Sequence, residues 1–293
     1  MMQGPKKRAI VVRGRDGLVI KEEELKFIKD KYPILGWPFI RGCVNFLVSM
    51  ASGVRALMFS AEQMPEDEQE AQQSRFDKWI EKKFGGEKAE KLIIAFAMVF
   101  GIGIAVVLFM LLPTLAAGLF QRFVDSRILM NLIEGVIRIA IFLAYIGLAT
   151  RMKDIHRVFE YHGAEHKTIF CYENGLPLTV DNVRPQSKYH PRCGTSFLFI
   201  VMLISILVFS VVSWSSPIIR MLLRLALLPV VVGISYELIR WAGRHDNWLS
   251  AVLSAPGKAL QHLTVFEPDD GMIEVAIKAM ELVIPEEKGS DAW

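Results

Sequence analysis

The chain has 293 residues, 52% of them hydrophobic, and 34 Lys and Arg against 31 Asp and Glu give a formal net charge of +3; its mean hydropathy is +0.33 and its pI about 8.7. An apolar share above the roughly 45–50% of ordinary domains excludes an average soluble globular protein, and so mild a basic excess gives no ground for nucleic acid as a partner. Three widely spaced cysteines, an odd number, give no disulfide framework.

The first residues, MMQGPKKRAIVVRGRDG, carry charges with no apolar run behind them and do not read as a cleavable signal. Residues 1–35 are expected to form a β-hairpin and a short helix. Two β-branched runs flank Gly14-Arg15-Asp16-Gly17, a four-residue turn, and a polar helix over Glu22 to Lys31 stops before Pro33. Over 36–60, Ile40, Val44, Leu47, Val48, Ala51, Val54 and Met58 recur at helical spacing with Arg41 and Arg55 between them. That pattern predicts an amphipathic helix lying in the membrane interface, the alternative being a helix packed on the protein's own core. Residues 61–91 are rich in Glu and Lys and read as a charged cytoplasmic linker.

Apolar runs of spanning length, about 20 residues each, occur at Leu92 to Phe120, Ile128 to Thr150, Phe197 to Trp214 and Ile218 to Trp241. The expected fold class is therefore mostly α, a polytopic helical membrane protein with about four transmembrane helices. Two of these lie in 92–150 and two in 197–241, separated by a His/Cys loop at 151–196 and followed by a helical tail at 242–293. Lys and Arg crowd the segment Arg151 to Ser196, while the loop Gln121 to Arg127 holds only Arg122 and Arg127. The positive-inside bias thus places both termini and the His/Cys loop in the cytoplasm. Within the spans, Glu134 and Arg138 are one helical turn apart and Arg224 lies at a similar depth, which predicts an ion cluster packing the second span against the fourth.

The stretch Tyr161 to Phe197 holds three of the six histidines and two of the three cysteines. His162-Gly-Ala-Glu165-His166 puts two imidazoles at i and i+4 on one helix face with a carboxylate beside them, the H-x-x-E-H pattern in which histidines bind zinc and the glutamate is general base. A short pattern of this kind also arises by chance or as a surface salt-bridge cluster. His190-Pro-Arg-Cys193 follows in the same loop and offers a further imidazole and a thiolate, so the expected ligand set is His162, His166, His190 and Cys193, with Glu237 at the cytoplasmic end of the fourth span available to complete it. Cys171 reads as a small buried thiol or as a ligand, and Cys193 as a nucleophile activated by His190 or His166 remains a rival reading.

The segments MMQGPKKRAIVV, GWPFIRG, YHGAEHKTIFCYE, HPRCGTSFL and the tail EPDD followed by IEVAIKAMELV resemble the YqhQ-like family of bacterial membrane proteins over essentially the whole chain. The resemblance implies a bacterial cytoplasmic (inner) membrane protein, predicted to be metal-dependent, with metal-site positions at His162, Glu165, His166, His190 and Cys193. Family members carry a Gly-rich stretch resembling GGQAVIEGV ahead of the MM-x-GP segment, whereas this sequence starts at Met1-Met2. If that stretch contributes a carboxylate or a loop to the site, the expectation is that this form is incomplete or its start misassigned. Two functions follow as expectations. The first is a zinc metalloprotein, in the form of a metal-dependent hydrolase using Glu165 as general base. The second is a non-catalytic factor, its metal structural or absent, that docks on a membrane machine such as a protein translocase or assembly complex and contacts membrane lipids. A transporter fits poorly, because the third span has almost no polar residues.

Overall fold

The computed structural model of the chain describes residues 1–63, 79–80, 83, 85–191, 193–210, 217–245 and 247–285. Most of the expected charged linker at 61–91, and the turn before Pro217, lie outside the described residues.

A small antiparallel sheet opens the chain. β2 (Lys7–Gly14) and β3 (Gly17–Glu24) pair in register from Lys7 opposite Glu24 to Gly14 opposite Gly17, and β1 (Met2–Gln3) joins the free edge of β2. Gly17, at φ 131°, takes a backbone conformation that L side chains rarely adopt and closes the turn at Arg15-Asp16. The hairpin is longer than the sequence pattern predicts, because Glu22 to Glu24 stay in the ladder opposite Ala9, Arg8 and Lys7 instead of starting a helix. Cross-strand charge pairing supports this, with Arg8 3.7 Å from Glu23. The expected helix over 22–31 contracts to α1 (Ile28–Lys31), followed by a 3-10 turn at Pro33–Gly36.

Against β2 packs the C-terminal helix α11 (Asp270–Glu281), and against α11 in turn pack α6 (Lys153–Glu173) and α7 (Val180–Val183). Ala9, Val11, Ala164, Cys171, Val183, Ile273 and Val275 form the centre of this core. Each larger apolar side chain buried there contributes about 1.5–3 kcal/mol. Asp269 caps α11, its carboxylate accepting from the Met272 amide at 2.7 Å.

The second layer is apolar and helical: α2 (Ile40–Glu62), α3 (Gly86–Val106), a π turn (Val107–Leu111), α4 (Leu112–Gly118), α5 (Arg127–Ala149), α8 (Gly194–Ser210) and α9 (Pro217–Ala242). Among the described residues, four helical stretches are long and apolar enough to cross a membrane: Ile40–Glu62, Leu92–Gly118, Ile128–Ala149 and Met221–Ala242, with mean hydropathies of 1.4, 3.0, 2.0 and 1.9. α2 is thus of spanning length although its arginines read as an interfacial pattern. One of them, Arg41, is matched by Glu237 of α9, its Nε donating to Oε1 at 2.7 Å. α8, expected to span, is an apolar helix of 17 described residues, shorter than the four of spanning length. α10 (Trp248–Thr264) joins the two layers. It starts in a capping box of Asn247 and Ser250, and it crosses α8 so closely that a Cβ at Gly257 would lie 2.2 Å from Ser196 Oγ.

The three charges inside the apolar layer do meet. Glu134 accepts from Arg138 Nη2 at 2.9 Å and from both terminal nitrogens of Arg224, the Nη2 contact being 2.8 Å, and Thr114 Oγ1 donates to it at 2.9 Å. Arg138 Nε also donates to the Phe109 carbonyl at 2.9 Å. Pro113 sits four residues beyond Phe109 and has no N–H to give, so the freed carbonyl in the π turn is satisfied by the arginine.

Candidate metal centre

α6 carries the His-rich motif because its buried face runs through Gly163, Ala164, His166, Lys167, Thr168 and Cys171, a helical spacing that turns the motif inward. Gly163 permits the closest approach. A Cβ there would lie 2.0 Å from the Phe266 carbonyl oxygen, so only glycine lets residues 264–266 run directly over the helix. That segment is fastened by the Phe266 amide donating to the Phe159 carbonyl at 3.1 Å and by His156 stacking on Phe266 at 4.1 Å between ring centroids.

His162, His166 and Cys193 converge, with one ligand atom from each lying within 4.8 Å of the others. His162 Nε2 is 3.1 Å from Cys193 Sγ, and its Nδ1 is 3.1 Å from the Thr264 carbonyl. His166 Nδ1 is 2.6 Å from the Lys188 carbonyl. A carbonyl accepts only, so each contact fixes an N–H at Nδ1, and in His162 this leaves Nε2 as the nitrogen facing the thiol. This is the tautomer and the outer support that histidine ligands of metals use. Cys193 immediately precedes α8, and the Thr195 amide and hydroxyl lie 3.5 and 3.3 Å from its sulfur.

The charges agree with that geometry. Burial pushes the Cys193 thiol up, but hydrogen bonds and charge from His162 and His166 outweigh it and bring the pKa down to about 5. Burial likewise disfavours the His162 cation, yet the bond to Cys193 and the charges of Cys193 and Glu165 leave its pKa raised. Both shifts thus favour the charged forms of the pair, the thiolate of Cys193 and the protonated ring of His162.

The other expected site residues take different places. His190 is buried, but its Nε2 faces Glu173 Oε2 at 3.3 Å, and its backbone is clamped by Gln261, which accepts from the His190 amide at 2.9 Å and donates to its carbonyl at 2.7 Å. It lies beside the trio, 5.7 Å from His166 between ring centroids, and outside the converging group. Glu165 contributes charge to His162 without joining the group. Glu237 is occupied by Arg41 and the Phe39 amide at the contact of α2 with α9. Cys171 is fully buried, with its sulfur 3.5 Å from the Pro177 carbonyl, and burial raises its pKa.

Several supporting residues were not signalled by any motif. Lys167, 5% exposed, donates to the Arg184 carbonyl at 2.7 Å and pairs with Glu267, which also meets Lys188 at 3.4 Å. Arg184 holds Asp270 through two bonds of 2.9 and 3.0 Å. The EPDD segment thereby ties down the loop whose Lys188 carbonyl orients His166. A buried lysine inside the HKTIFC run was the available signal, since a lysine on an inward helix face needs a partner.

Residues 37–286 match the family of proteins of unknown function DUF1385. The chain is 35% identical over 243 residues to a protein of Bacillus subtilis (strain 168) named "Uncharacterized protein YqhQ", covering 83% of this chain and 75% of that protein. No solved structure matches.

Proposed function

The chain belongs to the DUF1385 family, and on that premise we propose that it is a multi-pass metalloprotein of the bacterial cytoplasmic membrane whose zinc-type centre is formed by His162, His166 and Cys193 on the cytoplasmic face. The observation that carries this reading is the pair of imidazoles whose Nδ1 atoms are held by the Thr264 and Lys188 carbonyls while both rings converge with one thiol, each offering a ligand atom within 4.8 Å of the others. Two nitrogens and a sulfur are a donor set suited to zinc, and three protein ligands leave one position for water or substrate. The orientation rests on the Lys and Arg bias of the 151–196 loop.

When bound, such a metal supplies Lewis-acid polarisation and acidifies water, which points to metal-assisted hydrolysis. Cys193 would supply the negative charge for such a metal, the two carbonyls hold the imidazoles in register, and Glu165 would be the nearby carboxylate able to accept a proton from water. One observation favours a second reading, a structural metal in a factor that docks on a membrane machine. His166 and Cys193 are only 3% and 8% exposed, and His190 lies next to them.

Metal analysis by mass spectrometry on purified wild type, His166→Ala and Cys193→Ser tests the centre. Near-stoichiometric metal in wild type and its loss in both variants is the expected result, and equal content in all three overturns it. Cobalt-substituted protein separates the two readings. A visible spectrum that shifts on adding azide reports an open position, and one that stays unchanged favours the structural role.

A further inference from the structure

A cavity of about 700 Å³ lies between α2, the connection from Lys26 to Gly36, and the last turns of α9. Its lining holds six cations, Lys26, Lys29, Arg41, Arg55, Arg240 and Arg244, and no Asp or Glu among the described residues. Glu237 answers Arg41 from outside that lining and lies within electrostatic reach of Arg240. Lys29 rests over the Phe27 ring at 5.0 Å. Lys26, Arg55 and Arg244 form no ion pair among the described residues. So much like charge around one cavity is self-repelling, and a bound anion relieves it.

The surroundings choose the kind of anion. The connection that forms one wall, with the residues that follow it up to α2, exposes Phe27, Tyr32, Trp37 and Phe39, with Trp37 60% and Tyr32 54% accessible, the aromatic composition found where a bilayer meets water. The other walls are α2 and α9, both of membrane-spanning length. Alongside these lining residues α2 exposes Leu47 and Leu57, which are 64% and 60% accessible. A free inorganic anion has no use for such apolar surface, whereas a phosphate attached to acyl chains does.

We propose that this cavity binds the phosphate headgroup of an anionic phospholipid, with the acyl chains lying along the exposed apolar face of α2. The cations receive the phosphate, and the aromatic rim sets the depth of the protein at the bilayer surface. This site is separate from the His162, His166 and Cys193 centre and does not depend on it.

The test follows thermal unfolding of the full chain in detergent on addition of phosphatidylglycerol, phosphatidylcholine or inorganic phosphate, together with native mass spectrometry of retained lipid. Phosphatidylglycerol is expected to raise the midpoint by a few °C through preferential binding to the folded state, and the other two to leave it unchanged. With each interfacial cation worth about fivefold in affinity for anionic lipid, Lys26→Gln with Arg244→Gln is expected to weaken phosphatidylglycerol about 25-fold. If the pair of substitutions prevents folding, Arg244→Gln alone, at an exposed position, is expected to weaken it about fivefold. An equal shift with phosphatidylcholine, a shift of the same size with inorganic phosphate, or variants that bind as wild type each overturn the assignment.

Discussion

Gly163→Ala tests whether the packing of α6 against residues 264–266 governs both stability and the metal centre. The added Cβ would sit 2.0 Å from the Phe266 oxygen, whereas ordinary contact begins at 3.4 Å, so the segment must retreat by about 1.4 Å. Alanine in a helix interior gains about 1 kcal/mol over glycine, and overpacking costs roughly 1–3 kcal/mol. The steric cost is expected to win by about 0–2 kcal/mol. Gly53→Ala in α2 is the control, because nothing lies within 4 Å of its Cβ and only the gain of about 1 kcal/mol remains. The two substitutions are therefore expected to move the unfolding midpoint in detergent in opposite directions. The retreat also carries Thr264, whose carbonyl holds His162, past the roughly 0.5 Å tolerance of a preorganised site, so bound metal per chain falls in Gly163→Ala and not in Gly53→Ala. A midpoint for Gly163→Ala raised as much as that for Gly53→Ala would refute the reasoning.

Two further outcomes follow from charges. Glu134→Ala strands Arg138 and Arg224, both under a tenth exposed, and is expected to cost about 3–5 kcal/mol, whereas Arg224→Met leaves Glu134 with Arg138 at 2.9 Å and costs less. Unfolding in detergent checks the order, and an Arg224→Met protein less stable than Glu134→Ala contradicts it. Metal-free wild type is expected to keep, as pH falls from 8 toward about 5, a thiolate absorbance near 240 nm that Cys193→Ser lacks. Because the folded pKa is depressed, the stability this thiolate contributes is complete above the ordinary thiol value of about 8.5 and is lost as pH falls through about 5. A thiol in wild type that titrates only near 8.5 sinks the depressed Cys193 pKa.

The helical layer was legible in the sequence because lipid imposes long apolar runs, and the Glu134, Arg138 and Arg224 cluster because buried charges must find one another at equal depth. What composition could not supply was the balance between α2 and α8. The two arginines of α2 look interfacial in isolation, and only the contact with α9, where Gly42 and Gly233 admit close approach and Glu237 meets Arg41, provides a partner for one of them. The same contact accounts for Glu237, whose place near the end of α9 suggested a ligand. A carboxylate's partner is set by which helix packs beside it, and no local pattern records that.

The centre divides along the same line. His162, His166 and Cys193 were readable because i and i+4 fix a shared helix face and a thiolate is a ligand type in its own right. His190 is as close to Cys193 in sequence as a ligand would be, yet Gln261 clamps its backbone and Glu173 engages its ring, so its orientation is decided by residues 71 and 17 positions away. The groups that ready the two imidazoles are main-chain carbonyls of Thr264 and Lys188, and any residue type has a carbonyl. Motifs therefore expose the atoms that would touch a metal and conceal those that aim them. The aiming is performed by Gly163, by the EPDD segment through Glu267 and Asp270, and by the loop that Lys167 and Arg184 hold. Substitutions at those positions should change metal affinity as surely as substitutions of the ligands, with each ligand side chain still in place.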